Sequence, residues 1–279
     1  MSDSDSKVLV VPTKTVFSGG EPFNGFRKVE ESGIPQIEEL LSFGSGFRFR
    51  EKESLRIQAP EDEVLEYKQL APYIIIINPK TSQVCIYRHC ESYEERRTPL
   101  RGLWGFGIRA DIKVSDHLSD TPGENNRRFL GESLVYRAIG RVVDETLEGN
   151  GKFLDSKLVG YINEENAKKS GLDEEDLERG IMGAVYILET DSTVIKMVGD
   201  ESITSEMAPA ERLVEVFNAG MMIEEEEPGV YLGPWAKMVS GRILSSFQSY
   251  QELSEIIGAT REKEERERSK HGKRRRRGR

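Results

Sequence analysis

The chain has 279 residues, 37% hydrophobic and 32% charged, with 49 Asp and Glu against 40 Lys and Arg for a formal net charge of −9. That length supports one large domain or two small ones, and the balance fits a polar globular protein. No apolar run nears the roughly 20 residues of a membrane-spanning helix, and two cysteines, Cys85 and Cys90, are too few for a disulfide framework.

The acidic start, MSDSDSKVLVV, lacks the basic region of a secretory signal, so a cytoplasmic location is the default expectation. KVLVVP at 7–12 reads as a short strand of branched residues. Residues 35–43 carry Ile37, Leu40 and Leu41 at helical spacing, a short amphipathic helix stopped by the glycines at 44 and 46. The strongest strand is 73–77. Its turn at 78–82 and the returning QVCIYR of 83–88 predict a hairpin. A Gly-rich stretch follows at 101–107, then a polar loop at 115–128. Residues 132–148, ESLVYRAIGRVVDETLE, predict a helix. Strands are expected at 157–161 and 181–189, on either side of a charged insertion at 163–179. Apolar spacing predicts helices at 208–218 and 234–250. Strands and helices alternate irregularly, which indicates α+β rather than a doubly wound sheet.

Residues 261–279 hold eleven Lys and Arg against four Glu, a net of +7, so the rest of the chain carries −16 of the total −9. This segment has no apolar face and is expected to be disordered or a frayed helix. It reads either as an electrostatic arm for nucleic acid or an acidic partner, or as a solubilising tail.

On the predicted helix, Arg137, Arg141, Asp144, Glu145 and Glu148 share one side, whereas Val135, Ile139 and Val142 share another and would pack inward. The polar stripe is either a solvated face of weak pairs or an edge of acids able to hold a hard divalent cation. CIYRHC, with Cys85, His89 and Cys90, lacks a fourth zinc ligand and the usual cysteine pair, and Cys85 in a strand is more simply a core residue. His117 and His271 read as solvated. No phosphate-cradling or nucleophile-elbow motif occurs.

In order along the chain, EYKQLAPYIIIINPKTSQVCIYRH, RTPLRGLWGFGIRADIKVSD, RAIGRVVDETL, KLVGYINEE and RGIMGAVYILE resemble successive segments of Nudix-superfamily proteins, most closely a bacterial and archaeal subgroup of predicted phosphohydrolases. KVLVVP and GVYLGPWAKMVSGRI fit the ends of that subgroup. The resemblance implies an α/β/α sandwich with a mixed sheet over 67–258, a segment at 1–66 packing on it, and the basic tail at 259–279. It also implies a loop–helix–loop box, G-x5-E-x7-R-E-U-x-E-E-x-G-U (U a bulky aliphatic residue), whose helix carboxylates hold Mg²⁺ or Mn²⁺ against a diphosphate.

Laid on that box, Arg141 matches the arginine, Val143 the aliphatic position and Glu145 the first of the paired glutamates. Val142 and Thr146 stand where two glutamates belong, and Ser133 takes the earlier glutamate position beside Glu132. Gly149 comes one place late, and Arg109-Ala110-Asp111-Ile112 replaces the subgroup's Gly-Gly-His-Ile. The resemblance therefore implies Glu145 as the surviving catalytic and metal-binding carboxylate. Asp144 and Glu148 form a displaced D-E-x-x-E set with it, and acids at 164, 165 and 224–227 are possible supplements. Arg109, Arg137 and Arg141 are available to a nucleotide or phosphorylated ligand, although Arg141 can equally pair with Glu145. The expected function is a Nudix-like binding protein with lost or strongly reduced hydrolase activity. The alternative is an active Mg²⁺- or Mn²⁺-dependent hydrolase of nucleoside-diphosphate-linked substrates.

Overall fold

A computed structural model describes residues 6–52, 65–81, 83–89, 103–118, 134–163, 180–198, 203–209 and 231–232. Its organising strand is β4 (Tyr67–Asn78), whose residues from Lys68 onward are all buried. β10 (Ile181–Thr190) lies parallel to it over nine residues, from Ile181 opposite Gln69 to Glu189 opposite Ile77. Continuous apolar runs such as YIIII and IMGAVYIL are what parallel central strands covered on both faces require. β9 (Phe153–Asn163) runs antiparallel to β10, and β2 (Gly25–Lys28) closes that side.

Three strands share the other edge of β4. β1 (Lys7–Pro12) pairs with its first residues, β7 (Gly107–Arg109) with Tyr73–Ile75, and β5 (Gln83–His89) with its last two. Pro72 falls between β1 and β7, where its carbonyl accepts Ala110 N–H at 2.9 Å. β3 (Arg48–Glu51) pairs with β1, so the 1–66 segment contributes three strands to the sheet. β5 also carries β6 (Leu103–Gly105) and β12 (Ile203–Pro209), and β13 (Tyr231–Leu232) joins β6. The predicted hairpin forms. Asn78 Oδ1 accepts Lys80 and Thr81 N–H to fix its turn.

The chain departs from the sequence reading in places. The helix expected over 35–43 is a single turn, α3 (Ile37–Leu40), followed by a 3-10 turn at Phe43–Ser45. Two further one-turn helices, α1 (Thr13–Val16) and α2 (Val29–Ser32), also lie in this segment. In keeping with a strand-and-turn context, the Gly-rich stretch forms β6 and β7, with Tyr87 and Tyr73 lying over Gly105 and Gly107, where any Cβ would stand within 2.4 Å of a ring. Ala208 and Pro209, expected to open a helix, end β12 opposite Val84 and Gln83. The remainder of that helix, the helix at 234–250 and the basic tail lie outside the described residues.

The predicted long helix is α5 (Leu134–Thr146), 13 residues. Val135, Ala138, Ile139, Val142 and Val143 share one core cluster with Leu9 and Val11 of β1 and Leu70, Ile74 and Ile76 of β4. The helix stops at Thr146, whose carbonyl takes Val198 N–H at 2.9 Å, and Leu147–Gly149 leaves as β8 to pair with β11 (Ile195–Met197). The polar stripe is thereby corrected: Glu148 stands on a strand opposite Lys196, not on the helix with Asp144 and Glu145. The whole is α+β, a mixed sheet with α5 on one face. Among the described residues no helix is long and apolar enough to cross a membrane.

Candidate functional site

The polar side of α5 is organised by Arg141. Its Nε and Nη2 donate to the Asp116 carboxylate at 2.8 and 3.1 Å, Nη2 also donates to the Asp111 carbonyl at 2.7 Å, and Nη1 reaches Glu145 at 3.2 Å. Asp116 sits on α4 (Val114–Leu118), where its carboxylate also accepts Lys113 N–H and closes the first turn. The pair is withdrawn from water, with 15% of the Arg141 side chain and 3% of Asp116 exposed. Burial works against the guanidinium charge, yet Asp116 and Glu145 outweigh it and hold Arg141 above its usual pKa. Arg137 Nη1 meets the Asp116 carbonyl at 3.4 Å. Two of the three ligand-facing arginine candidates thus converge on α4. Arg109 projects elsewhere, from β7 opposite Tyr73, and is exposed.

Asp111 forms a second knot. It accepts Lys52 Nζ at 2.6 Å and Gln69 Nε2 at 2.8 Å. Burial alone would raise its carboxyl pKa, but Lys52, Arg109 and Gln69 together hold it below the ordinary value. Ala110 between them is fully buried in the core that α5 closes. Where the resemblance expects Gly-Gly-His, this chain has the exposed Arg109, the core methyl of Ala110 and the paired carboxylate of Asp111.

The box positions on α5 are equally occupied. Val142 is 7% exposed and belongs to the core. Thr146 turns its hydroxyl back onto the Val142 carbonyl at 2.5 Å, a bond within its own helix. Glu145 is 57% exposed and tied to Arg141, and Asp144 is exposed. Among the described residues no three His, Cys, Asp or Glu side chains come close enough to hold a metal ion, and the expected Asp144, Glu145, Glu148 set is no exception. Among the described residues these carboxylates do not gather into one set, so Mg²⁺ or Mn²⁺ held here would take its remaining oxygen ligands from waters and substrate phosphates. Glu132, Ser133 and the loop acids at 164, 165 and 224–227 lie outside the described residues. So do Cys90 and His271, and nothing describes the side chains of His89 and His117. Cys85 is buried in β5, and burial pushes its thiol up to about 12, the behaviour of a core residue.

The crystal structure of Tm1382, a candidate Nudix hydrolase, is similar to this chain with a TM-score of 0.55 at 19% sequence identity, covering 86% of this chain and 98% of that one. The fold is Nudix-like. No family model and no curated protein matches the chain. Sequence reasoning singled out Arg141 and Glu145 but not the residues that pair in this region, Asp116, Lys52 and Gln69. These partners lie 25 or more positions from the residues they bind, and no local pattern points to them.

Proposed function

We propose that this is a Nudix-like protein, related to the predicted-phosphohydrolase subgroup, whose degenerate box has lost or strongly reduced hydrolase activity. It acts by binding a nucleotide, a phosphorylated ligand or a macromolecular partner. The observation that carries this is the commitment of α5: Val142 to the core, the Thr146 hydroxyl to the Val142 carbonyl, and Glu145 to Arg141. Arg109 and Arg137 offer charge to a ligand, while Arg141 serves chiefly to fasten α5 to α4. The basic tail adds an arm for nucleic acid or an acidic partner in the cytoplasm. If deleting 261–279 leaves low-salt nucleic-acid binding unchanged, the arm fails as an idea.

The second reading is an active hydrolase with Glu145 as the remaining carboxylate, favoured by the exposure of that side chain. One assay separates the two. Dinucleotide and nucleotide-sugar substrates are screened with Mg²⁺ and with Mn²⁺, comparing the wild type with Glu145→Gln. We expect no turnover above background in either protein, together with nucleotide-induced thermal stabilisation in both. Turnover that disappears in Glu145→Gln overturns the binding-protein reading.

A further inference from the structure

A surface cleft of about 540 Å³ opens where β1 passes into α1, between Thr13, Lys14, Ser45, Arg48, Glu66 and Tyr67. Its wall is fixed by its own hydrogen bonds. Thr13 Oγ1 donates to the Leu65 carbonyl, Thr15 Oγ1 to the Ser45 carbonyl at 3.1 Å, and Ser45 Oγ to the Ser42 carbonyl at 2.7 Å. Beside it, the guanidinium carbons of Arg48 and Arg50 each stand 4.1 Å from the centroid of the Tyr67 ring. Arg48 is in register with Val10, and Arg50 with Val8, whereas Leu9 and Val11 face the core that α5 closes. Side chains alternate along a strand, so the arginines and Tyr67 occupy the face of the sheet turned away from α5.

Among the described residues Lys14, Arg48 and Arg50 have no carboxylate within ion-pairing distance. The one acid lining the cleft is Glu66. Lys14 and Arg48 line the cleft and Arg50 stands beside it, a local positive excess in a body that carries −16 outside its tail, and such a field attracts anions. The Tyr67 ring attracts both guanidinium groups by cation–π contact, which orders them beside the cleft. A planar fork of N–H donors matches the oxygens of a phosphoryl group, and a lysine adds point charge.

We propose that this cleft binds a phosphate chain, free or carried by a nucleotide, with Arg48 and Arg50 gripping phosphoryl oxygens and Lys14 at the cleft wall. The site stands apart from α5 and does not depend on whether α5 is catalytic. Calorimetric titration of the full-length protein with inorganic tripolyphosphate and with ATP tests it. Arg48→Gln with Arg50→Gln weakens tripolyphosphate binding about tenfold or more, the loss expected for charge-assisted bonds, and Lys14→Gln weakens it less. Arg48→Lys with Arg50→Lys keeps the charge but loses the forks, and also weakens binding. Tyr67→Phe retains affinity, whereas Tyr67→Leu lowers it. ATP binding tighter than tripolyphosphate assigns the ligand to nucleotides, and equal affinity assigns it to the phosphate chain alone. The proposal is overturned if the wild type binds neither anion, if the arginine double variant binds as tightly as wild type, or if affinity disappears only when Lys273 and Arg274, Arg275, Arg276 and Arg277 are replaced by glutamine.

Discussion

Asp116→Ala is the most direct probe of how α5 is held. The carboxylate receives two guanidinium N–H groups at 2.8 and 3.1 Å, and both partners are largely buried. At that separation two charges attract by about 6 kcal/mol for an effective dielectric near 20, most of it offset by the desolvation of bringing both inside. Removing one partner is a different matter, because it strands the other charge, and such breakages typically cost about 3–5 kcal/mol. Arg141 keeps the Asp111 carbonyl and Glu145 as acceptors, so the lower end applies, about 3 kcal/mol. At about 2–4 °C per kcal/mol for a domain of this size, the midpoint falls by about 6–12 °C. Arg141→Met removes the charge from the other side, and the double variant should be about 2 kcal/mol less destabilised than the sum of the singles. Chemical denaturation of the four proteins measures this directly. Additivity within about 0.5 kcal/mol refutes the idea that the pair fastens α5 to α4.

Asp111→Asn should alter the pH profile of stability. The folded carboxyl lies below 3.8, so its contribution is present above that value and fades as pH falls through the lower folded pKa. The gap in denaturation midpoint between wild type and variant should be steady near neutrality and narrow below 3.8, and a gap independent of pH argues against the Lys52 pairing. Gly107→Ala sets a methyl 2.2 Å from the buried Tyr73 ring and should destabilise by about 1–3 kcal/mol, whereas Gly44→Ala, with open space around it, should stay within about 0.5 kcal/mol in the same denaturation assay. Val142→Glu with Thr146→Glu restores the acids of the box but drives a carboxylate into the core. It should lose at least about 2 kcal/mol, and a melting curve with and without Mg²⁺ should show no rescue. Peptide mapping after brief iodoacetamide treatment should find Cys85 unmodified in the native protein and alkylated in denaturant, because the buried thiol is not ionised near neutral pH.

What could be read from the chain was whatever repeats locally. The 3.6-residue spacing of Val135, Ile139 and Val142 located α5, the unbroken YIIII run located β4, and the Asn78 turn located its hairpin. What could not be read depends on distant partners. The last turn of α5 looked helical through Glu148, but Val198, 52 residues beyond Thr146, supplies the N–H that takes the Thr146 carbonyl and opens β8. Composition showed Gly105 and Gly107 only as a Gly-rich stretch, and the reason for glycine there, Tyr87 and Tyr73 lying over them, comes from strands distant in sequence. The same reasoning applies to the site. Val142 and Thr146 lie one turn apart on α5, and each is spent inside the protein, one against the core and the other on the carbonyl of its neighbour. A metal-binding helix must present its acids at such positions to a ligand space. Here the first position lies in the core and the second bonds the Val142 carbonyl, so placing acids at both would require repacking α5 rather than replacing two side chains.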